Sequence, residues 1–161
     1  MWVCETGTVV SVRNATPEDL PVVLPLVRAY CEFYETTPAQ APDTGLEEMC
    51  RALIAAPDAE GILLVAEDDG AVVGFAACGW KWSSLRAGRV VVLEDLFVAP
   101  RARGGGHGRE LILACAGLGR ANGAAAIEWL TALDNSRAQA VYDSVGAEHD
   151  DWRAYSLDLG S

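Results

Sequence analysis

The stretch from Leu93 to Glu110 reads Leu-Glu-Asp-Leu-Phe-Val-Ala-Pro-Arg-Ala-Arg-Gly-Gly-Gly-His-Gly-Arg-Glu. An apolar segment carrying two carboxylates, Glu94 and Asp95, runs into a basic, glycine-rich turn, and a segment with helical periodicity follows. A glycine-rich turn ahead of a helix leaves backbone N–H groups unpaired at the positive end of the helix dipole, which suits a diphosphate. Arg101, Arg103 and Arg109 add cations there, although the whole chain carries a net charge of −11. Locally the sequence is built to hold an anion.

Two phosphate motifs fail on this turn. A nucleoside-triphosphate loop needs Gly, four residues and then Gly-Lys-Ser or Gly-Lys-Thr, and the only lysine is Lys81, outside the turn. A dinucleotide fingerprint beginning at Gly104 needs Gly or Ala where Arg109 stands. What remains, Arg103-x-x-Gly106-x-Gly108 after Val98-x-Pro100, resembles the acetyl-CoA loop of the GNAT superfamily of N-acetyltransferases. A second match spans Leu133 to Ala147, which resembles that superfamily's closing signature of Asn, Ala, an aromatic Tyr and Gly-Ala. The wording Leu-Glu-Asp-Leu-Phe-Val and the Trp152-Arg153 pair are similar to the diamine (spermidine/spermine) N-acetyltransferases over residues 93–159, whereas the middle of the preceding hairpin departs from them.

The resemblance implies an α/β GNAT fold, a mixed central sheet flanked by helices, with acetyl-CoA as acyl donor. It implies that the coenzyme is held by Arg103, Gly104, Gly105, Gly106, His107, Gly108 and Arg109, by backbone groups of Leu96, Phe97 and Val98 along the pantetheine arm, and by the Asn135 side chain. His107 fills a position that is usually apolar in that loop. It reads either as a phosphate hydrogen-bonding group or as a partly exposed residue at a helix start. Asn135 also reads as an ordinary helix N-cap, and Tyr142 as an amphipathic core residue.

The implied reaction is attack of a neutral amine on a thioester. A lysine-like amine has a pKa of about 10.4 and is protonated at neutral pH, so a base must take a proton. Family members carry that base where Glu94 and Asp95 stand. The two point to opposite faces of a regular strand, so at most one aims into the cleft directly. The wording Leu-Glu-Asp-Leu-Phe-Val, close to that of the diamine acetyltransferases, implies Glu94 as the base, and Asp95 is placed at the cationic acceptor. Tyr142 would assist departure of the coenzyme thiolate, by donating a proton or a hydrogen bond. In this fold the acceptor pocket is lined by the first two helices and the hairpin. They supply Tyr30, Glu32, Phe33, Tyr34 and Glu35, with Trp80 and Trp82, an aromatic and acidic set suited to an ammonium group. The acceptor is then the primary amine of a small molecule, polyamine-, amino-acid- or aminoglycoside-like. A protein N-terminus or lysine as acceptor is the enzymatic alternative, and a non-catalytic acyl-CoA-binding sensor is the alternative from another class. No cysteine has a neighbouring histidine in sequence, which favours direct attack over a covalent acetyl-enzyme.

These residues need elements to place them. Alternation predicts a strand over Thr8 to Arg13. Thr16-Pro17-Glu18-Asp19 opens a helix running to about Glu35, which Pro25 should kink or delay. A loop from Thr36 to Asp43 precedes a helix over Leu46 to Ala55. Ile62–Ala66 and Ala71–Trp82 form a hairpin on Asp69-Gly70. Val90–Val98 is a strand and His107–Asn122 a helix, weakened by Gly117 and Gly119 unless a close contact needs them. Strand Ala126–Leu133, helix Ser136–Val145 and strand Tyr155–Leu159 complete the order β-α-α-β-β-β-α-β-α-β, which matches the GNAT order from end to end.

Composition narrows the classes. With 161 residues, of which 51% are hydrophobic, the chain reads as one domain over residues 1–161, without linker or repeat. Twelve basic against 23 acidic residues speak against nucleic acid or an anionic membrane as partner. Cys4, Cys31, Cys50, Cys78 and Cys115 are scattered and match no metal pattern with His107 or His149, so no metal is expected. Reduced thiols and the absence of a signal-like start, with no stretch of about 20 apolar residues, place the protein in the cytoplasm. A homodimer is possible, given the exposed-looking tryptophans.

Overall fold

The computed structural model describes residues 10–34 and 41–160. The first residues of the strand predicted from Thr8, the helix end at Glu35, most of the loop from Thr36, and Cys4 lie outside them. Strand β1 (Val10–Asn14) leads through a 3-10 turn (Pro17–Asp19) into α1 (Leu20–Phe33), and α2 (Asp43–Ala55) follows. Strands β2 (Ile62–Asp68), β3 (Ala71–Ser83) and β4 (Gly88–Val98) come next. Helix α3 (His107–Ala121), the short β5 (Ile127–Glu128) and α4 (Ser136–Ser144) complete the elements.

One five-stranded sheet has the order β1-β2-β3-β4-β5. The first four strands pair antiparallel, and β5 lies parallel to β4. The β2–β3 turn is the predicted one, with Asp69 at φ 49° and Gly70 at φ 81°, the double positive φ of a tight hairpin. On one face Leu63, Val65, Phe75, Ala77 and Phe97 pack with Val23 and Val27 of α1 and Cys50 of α2. On the other, Leu64, Ala76, Cys78, Val91 and Leu93 pack with Leu111, Ile112 and Cys115 of α3. A sheet covered on both faces explains why β2 and β4 read as continuous apolar runs rather than alternating ones.

Thr16 and Asp19 form the capping box that opens α1: the Thr16 amide donates to Asp19 Oδ2 at 2.8 Å, and the Arg13 guanidinium clamps the same carboxylate. Helical pairing is delayed to Leu20 and then runs through Pro25, whose absent N–H forfeits one first-turn hydrogen bond, to the carbonyl of Pro21.

Two strand expectations fail. The strand predicted over Ala126–Leu133 shrinks to Ile127–Glu128, because β5 diverges from β4 after pairing Val91 and Val92. The strand predicted over Tyr155–Leu159 does not form. A two-residue β5 offers too short an edge to hold it, and Trp152, Tyr155, Leu157 and Leu159 are exposed.

The glycines of α3 differ. A Cβ on Gly119 would stand 3.0 Å from Val91 Cγ2, so this glycine lets the helix approach the sheet, while a Cβ on Gly117 would meet nothing within 4 Å. In chemical denaturation, Gly117→Ala should stabilise the protein by about 1 kcal/mol. Gly119→Ala should destabilise it, crowding outweighing the gained helix propensity. Equal stabilisation by both would mean that α3 is free to move off the sheet.

Candidate active site

The divergence of β5 from β4 creates the site. Beyond Val92, β4 keeps β3 on one edge and has no strand on the other, so the backbone of residues 93–98 faces a cleft. Within it β4 carries a bulge: Ala77 pairs with Asp95 but Cys78 pairs with Leu93, leaving Glu94 as the extra residue. The bulge resets alternation. Leu93, Leu96 and Val98 all pack on the α3 face, while Phe97 packs on the α1 face. Glu94 is exposed at the cleft, and Asp95 is half-buried beside Tyr30.

After β4 the chain makes a 3-10 turn (Pro100–Ala102) and then the glycine run. Gly104 and Gly106 have φ of 85° and 84°, a left-handed geometry that L-residues with side chains rarely adopt. Among the described residues, the backbone N–H groups of Gly104, Gly105, Gly106, His107, Gly108 and Arg109 donate to no protein acceptor. They therefore stand unpaired at the N-terminus of α3, an arrangement of the kind that binds anions. Arg103 braces the turn from one side: its Nε donates to Val98 O at 3.0 Å, and its guanidinium lies 5.5 Å over the Phe97 ring.

Two cavities meet here. The first, of about 450 Å³, is lined by Leu96, Phe97 and Val98, by Arg103, Gly104, Gly106, His107, Gly108 and Arg109, and across the cleft by Asn135 and Tyr142. The second, of about 510 Å³, lies against Glu94, Lys81, Glu128 and Thr131. Tyr30 and Tyr34 border both, and Phe33 borders the first. Their rings pack edge to face, Tyr30 against Tyr34 at 4.9 Å and Phe33 against Tyr34 at 5.1 Å. Asn135 serves two ends, capping α4 by accepting from the Ala138 amide at 3.3 Å while lining the first cavity. The unpaired amides, the open strand edge and the long groove between them fit the diphosphate and pantetheine of coenzyme A.

Burial pushes the Tyr142 hydroxyl above its ordinary pKa, so it stays protonated at neutral pH. Its ring packs edge to face on Trp129 at 5.2 Å. Burial, and then the Asp95 charge, push Tyr30 up as well. Asp95 is itself raised by burial, opposed by the Tyr30 hydroxyl.

Several expected site residues stand elsewhere. Trp80 packs on the α3 face, donating Nε1–H to Pro57 O at 3.2 Å with Arg89 stacked over its ring. Trp82 is 79% exposed. The register places them opposite Val91 and Arg89, the early part of β4, and neither lines either cavity. Asp95 lines neither cavity, since the bulge turns it toward Tyr30. Gly105 is also absent from the groove wall. His107, expected at the surface, is 2% exposed, with its imidazole turned inward.

Arg137 went unnoticed in the sequence and lines the first cavity. The signal was available, because a cation in the first turn of α4 opposes the helix dipole and needs an anion nearby to justify it. Among the described residues, no cysteine lines either cavity. Cys78 and Cys115 are buried with sulfurs 2.8 Å apart, and burial pushes Cys50 up to about 11.

A model of the acetyltransferase (GNAT) family matches residues 26–147. The uncharacterized N-acetyltransferase YhfO of Bacillus subtilis is 33% identical over 141 residues, 87% of this chain and 91% of its own. The D-amino-acid N-acetyltransferase HPA3 of Saccharomyces cerevisiae is 29% identical over 139 residues, 86% of this chain and 85% of its own. Among solved structures, the aminoglycoside N-acetyltransferase AAC(6')-Iy in complex with CoA superimposes with a TM-score of 0.78 at 22% identity, covering 98% of this chain and all of that one, a likeness of fold.

The turn geometry yields a paired test. Gly106→Ala places a side chain at φ 84° and should weaken coenzyme A binding at least about tenfold, a backbone strain of order 1–2 kcal/mol. Gly108→Ala adds a Cβ at ordinary contact distance, 3.9 Å from Val141 and Val98, and should bind nearly as the parent does. Calorimetric titration separates the two, and equal affinities would show that the turn's conformation does not matter to binding.

Proposed function

The chain belongs to the GNAT family and is an acetyl-CoA-dependent N-acetyltransferase, and from that premise we propose that it acetylates the primary amine of a small cationic molecule by direct attack. The observation that carries the reading is the meeting of two cavities at Tyr30 and Tyr34, one walled by the unpaired amides of the glycine turn and the other by Glu94. Acetyl-CoA supplies an acetyl group activated as a thioester. The amides of residues 104–109, with Arg109 and Arg137, hold its diphosphate, and the open edge of β4 at Leu96–Val98 holds the pantetheine arm as an added strand would be held.

Glu94 is the assigned base. It faces the second cavity, forms no ion pair among the described residues, and is exposed enough to take a proton directly or through water. Asp95 tunes the Tyr30 hydroxyl rather than meeting the acceptor. Tyr142 donates a hydrogen bond to the departing thiolate. Full proton transfer from an ordinary tyrosine (pKa about 10) to a thiolate (about 8.5) is uphill by about 2 kcal/mol, and burial raises that barrier further. Stabilisation of developing charge is therefore the larger part of its role. Direct attack is favoured because the described cysteines lie outside both cavities.

In the acceptor cavity Lys81 pairs with Glu128 at 2.9 Å, a carboxylate that Arg86 also approaches at 3.7 Å, and Glu94 and two tyrosines are left to meet the acceptor. That balance suits a polyamine or an aminoglycoside-like amine, in keeping with the diamine-acetyltransferase wording of residues 93–98. A second reading, an amino acid, is favoured by the relationship to the yeast D-amino-acid enzyme, with Lys81 then turning to the carboxylate. We read residues 1–161 as one catalytic domain in a reducing, cytoplasmic setting that fits its free thiols. Leu130, Leu133, Tyr155, Leu157 and Leu159, all largely exposed, support a homodimer that covers them.

Thiol release measured over polyamines, aminoglycosides and amino acids of both hands should show turnover with the first two groups. Activity confined to amino acids selects the second reading, and none with any amine removes the catalytic proposal. Tyr142→Phe should lower kcat about 100-fold with little change in the KM for acetyl-CoA; equal turnover removes Tyr142 from the mechanism. In sedimentation velocity the intact chain should run as a dimer and Leu157→Asp/Leu159→Asp as a monomer, whereas a monomeric parent contradicts the dimer.

A further inference from the structure

The middle glycine of the turn has no conformational reason to be glycine. Gly104 and Gly106 adopt positive φ, but Gly105 does not. A Cβ on Gly105 would instead stand 2.7 Å from Cε1 and 3.0 Å from Nδ1 of His107. The vacancy at position 105 is the space that the imidazole fills.

That imidazole is held in one orientation. Nδ1 lies 3.1 Å from the carbonyl oxygen of Ala102, which can only accept, so Nδ1 carries the proton and donates it. Nε2, on the far side of the ring, makes no hydrogen bond among the described residues and lies 3.6 Å from Asp68 Oδ2, at the end of β2. An apolar side chain would fill this 2% exposed position without leaving a buried nitrogen unpaired. A histidine kept at such a site is explained by what its ring ties together.

We infer that His107 is a positioning residue for the diphosphate site: its ring, packed on Gly105 and hydrogen-bonded to Ala102, sets the direction of the unpaired amides of residues 104–109. This rests on the reading of that turn as the coenzyme's diphosphate site. The side chain is almost wholly buried, so it acts through the backbone. Arg103 ties the same turn to Val98 on its other flank, so the amides are fixed from two sides before the anion arrives, which lowers the ordering entropy lost on binding.

The test compares a ligand that has the diphosphate with one that lacks it. For the parent, His107→Phe, His107→Asn and Gly105→Ala, calorimetry gives the Kd of coenzyme A, and thiol release gives kcat/KM with S-acetylpantetheine. His107→Phe keeps an aromatic ring, somewhat larger, without the donor and should weaken coenzyme A about tenfold, a loss severalfold greater than its effect on kcat/KM with S-acetylpantetheine. Gly105→Ala should show the same split, and His107→Asn, which retains an N–H near the Nδ1 position, should recover most of the affinity. Unchanged affinity in both His107→Phe and Gly105→Ala overturns the inference, as does equal loss with both ligands, which would mark His107 as a packing residue only. A parent that does not bind coenzyme A fails the reading of the turn itself, a result distinguishable from the others.

Discussion

A run of backbone N–H groups without a protein acceptor is expensive to keep, and among the described residues one runs from Gly104 to Arg109. Two left-handed glycines make the run possible, by turning the chain so that successive amides face one side. The α3 dipole adds to it, and Arg109 and Arg137 border the same groove. In a chain of net charge −11 this is a local reversal of the overall field. On the proposed reading, the chemistry takes place next to a diphosphate.

The divergence of β5 from β4 turns an anion site into a place for chemistry. It exposes one edge of β4 beyond Val92, along which an extended ligand anchored at the turn reaches inward. The bulge at Glu94 lies on that edge and points a carboxylate into the neighbouring cavity, while α4 brings Tyr142 from the opposite wall. The roles proposed for the two side chains set opposite requirements. Glu94, the proposed base, is exposed, whereas Tyr142, the proposed donor, is packed on Trp129, where burial raises its pKa.

Local signals were readable in the sequence wherever neighbours along the chain decide the outcome. The Asp69-Gly70 hairpin, the Thr16 cap, the apolar period of α3 and the glycine turn before it all follow from short-range chemistry, and each is found. What escaped depends on partners distant in sequence. The bulge at Glu94 is set by β3 pairing, and it decides which of two adjacent carboxylates meets the cleft. Trp80 and Trp82 looked like an acceptor cage because their place on β3 was known but their register against β4 was not. The last strand had suitable residues but lacked a partner edge. His107 looked exposed because the space that buries it is made by the absence of a side chain at Gly105.

The account stands or falls on where the phosphorus of the coenzyme goes. In a titration of isotopically labelled protein with acetyl-CoA, followed by amide NMR, the resonances of residues 104–109 should move most, together with the diphosphate phosphorus signals. Large shifts elsewhere with those amides unmoved would contradict the assignment of the turn, and with it the site built around it.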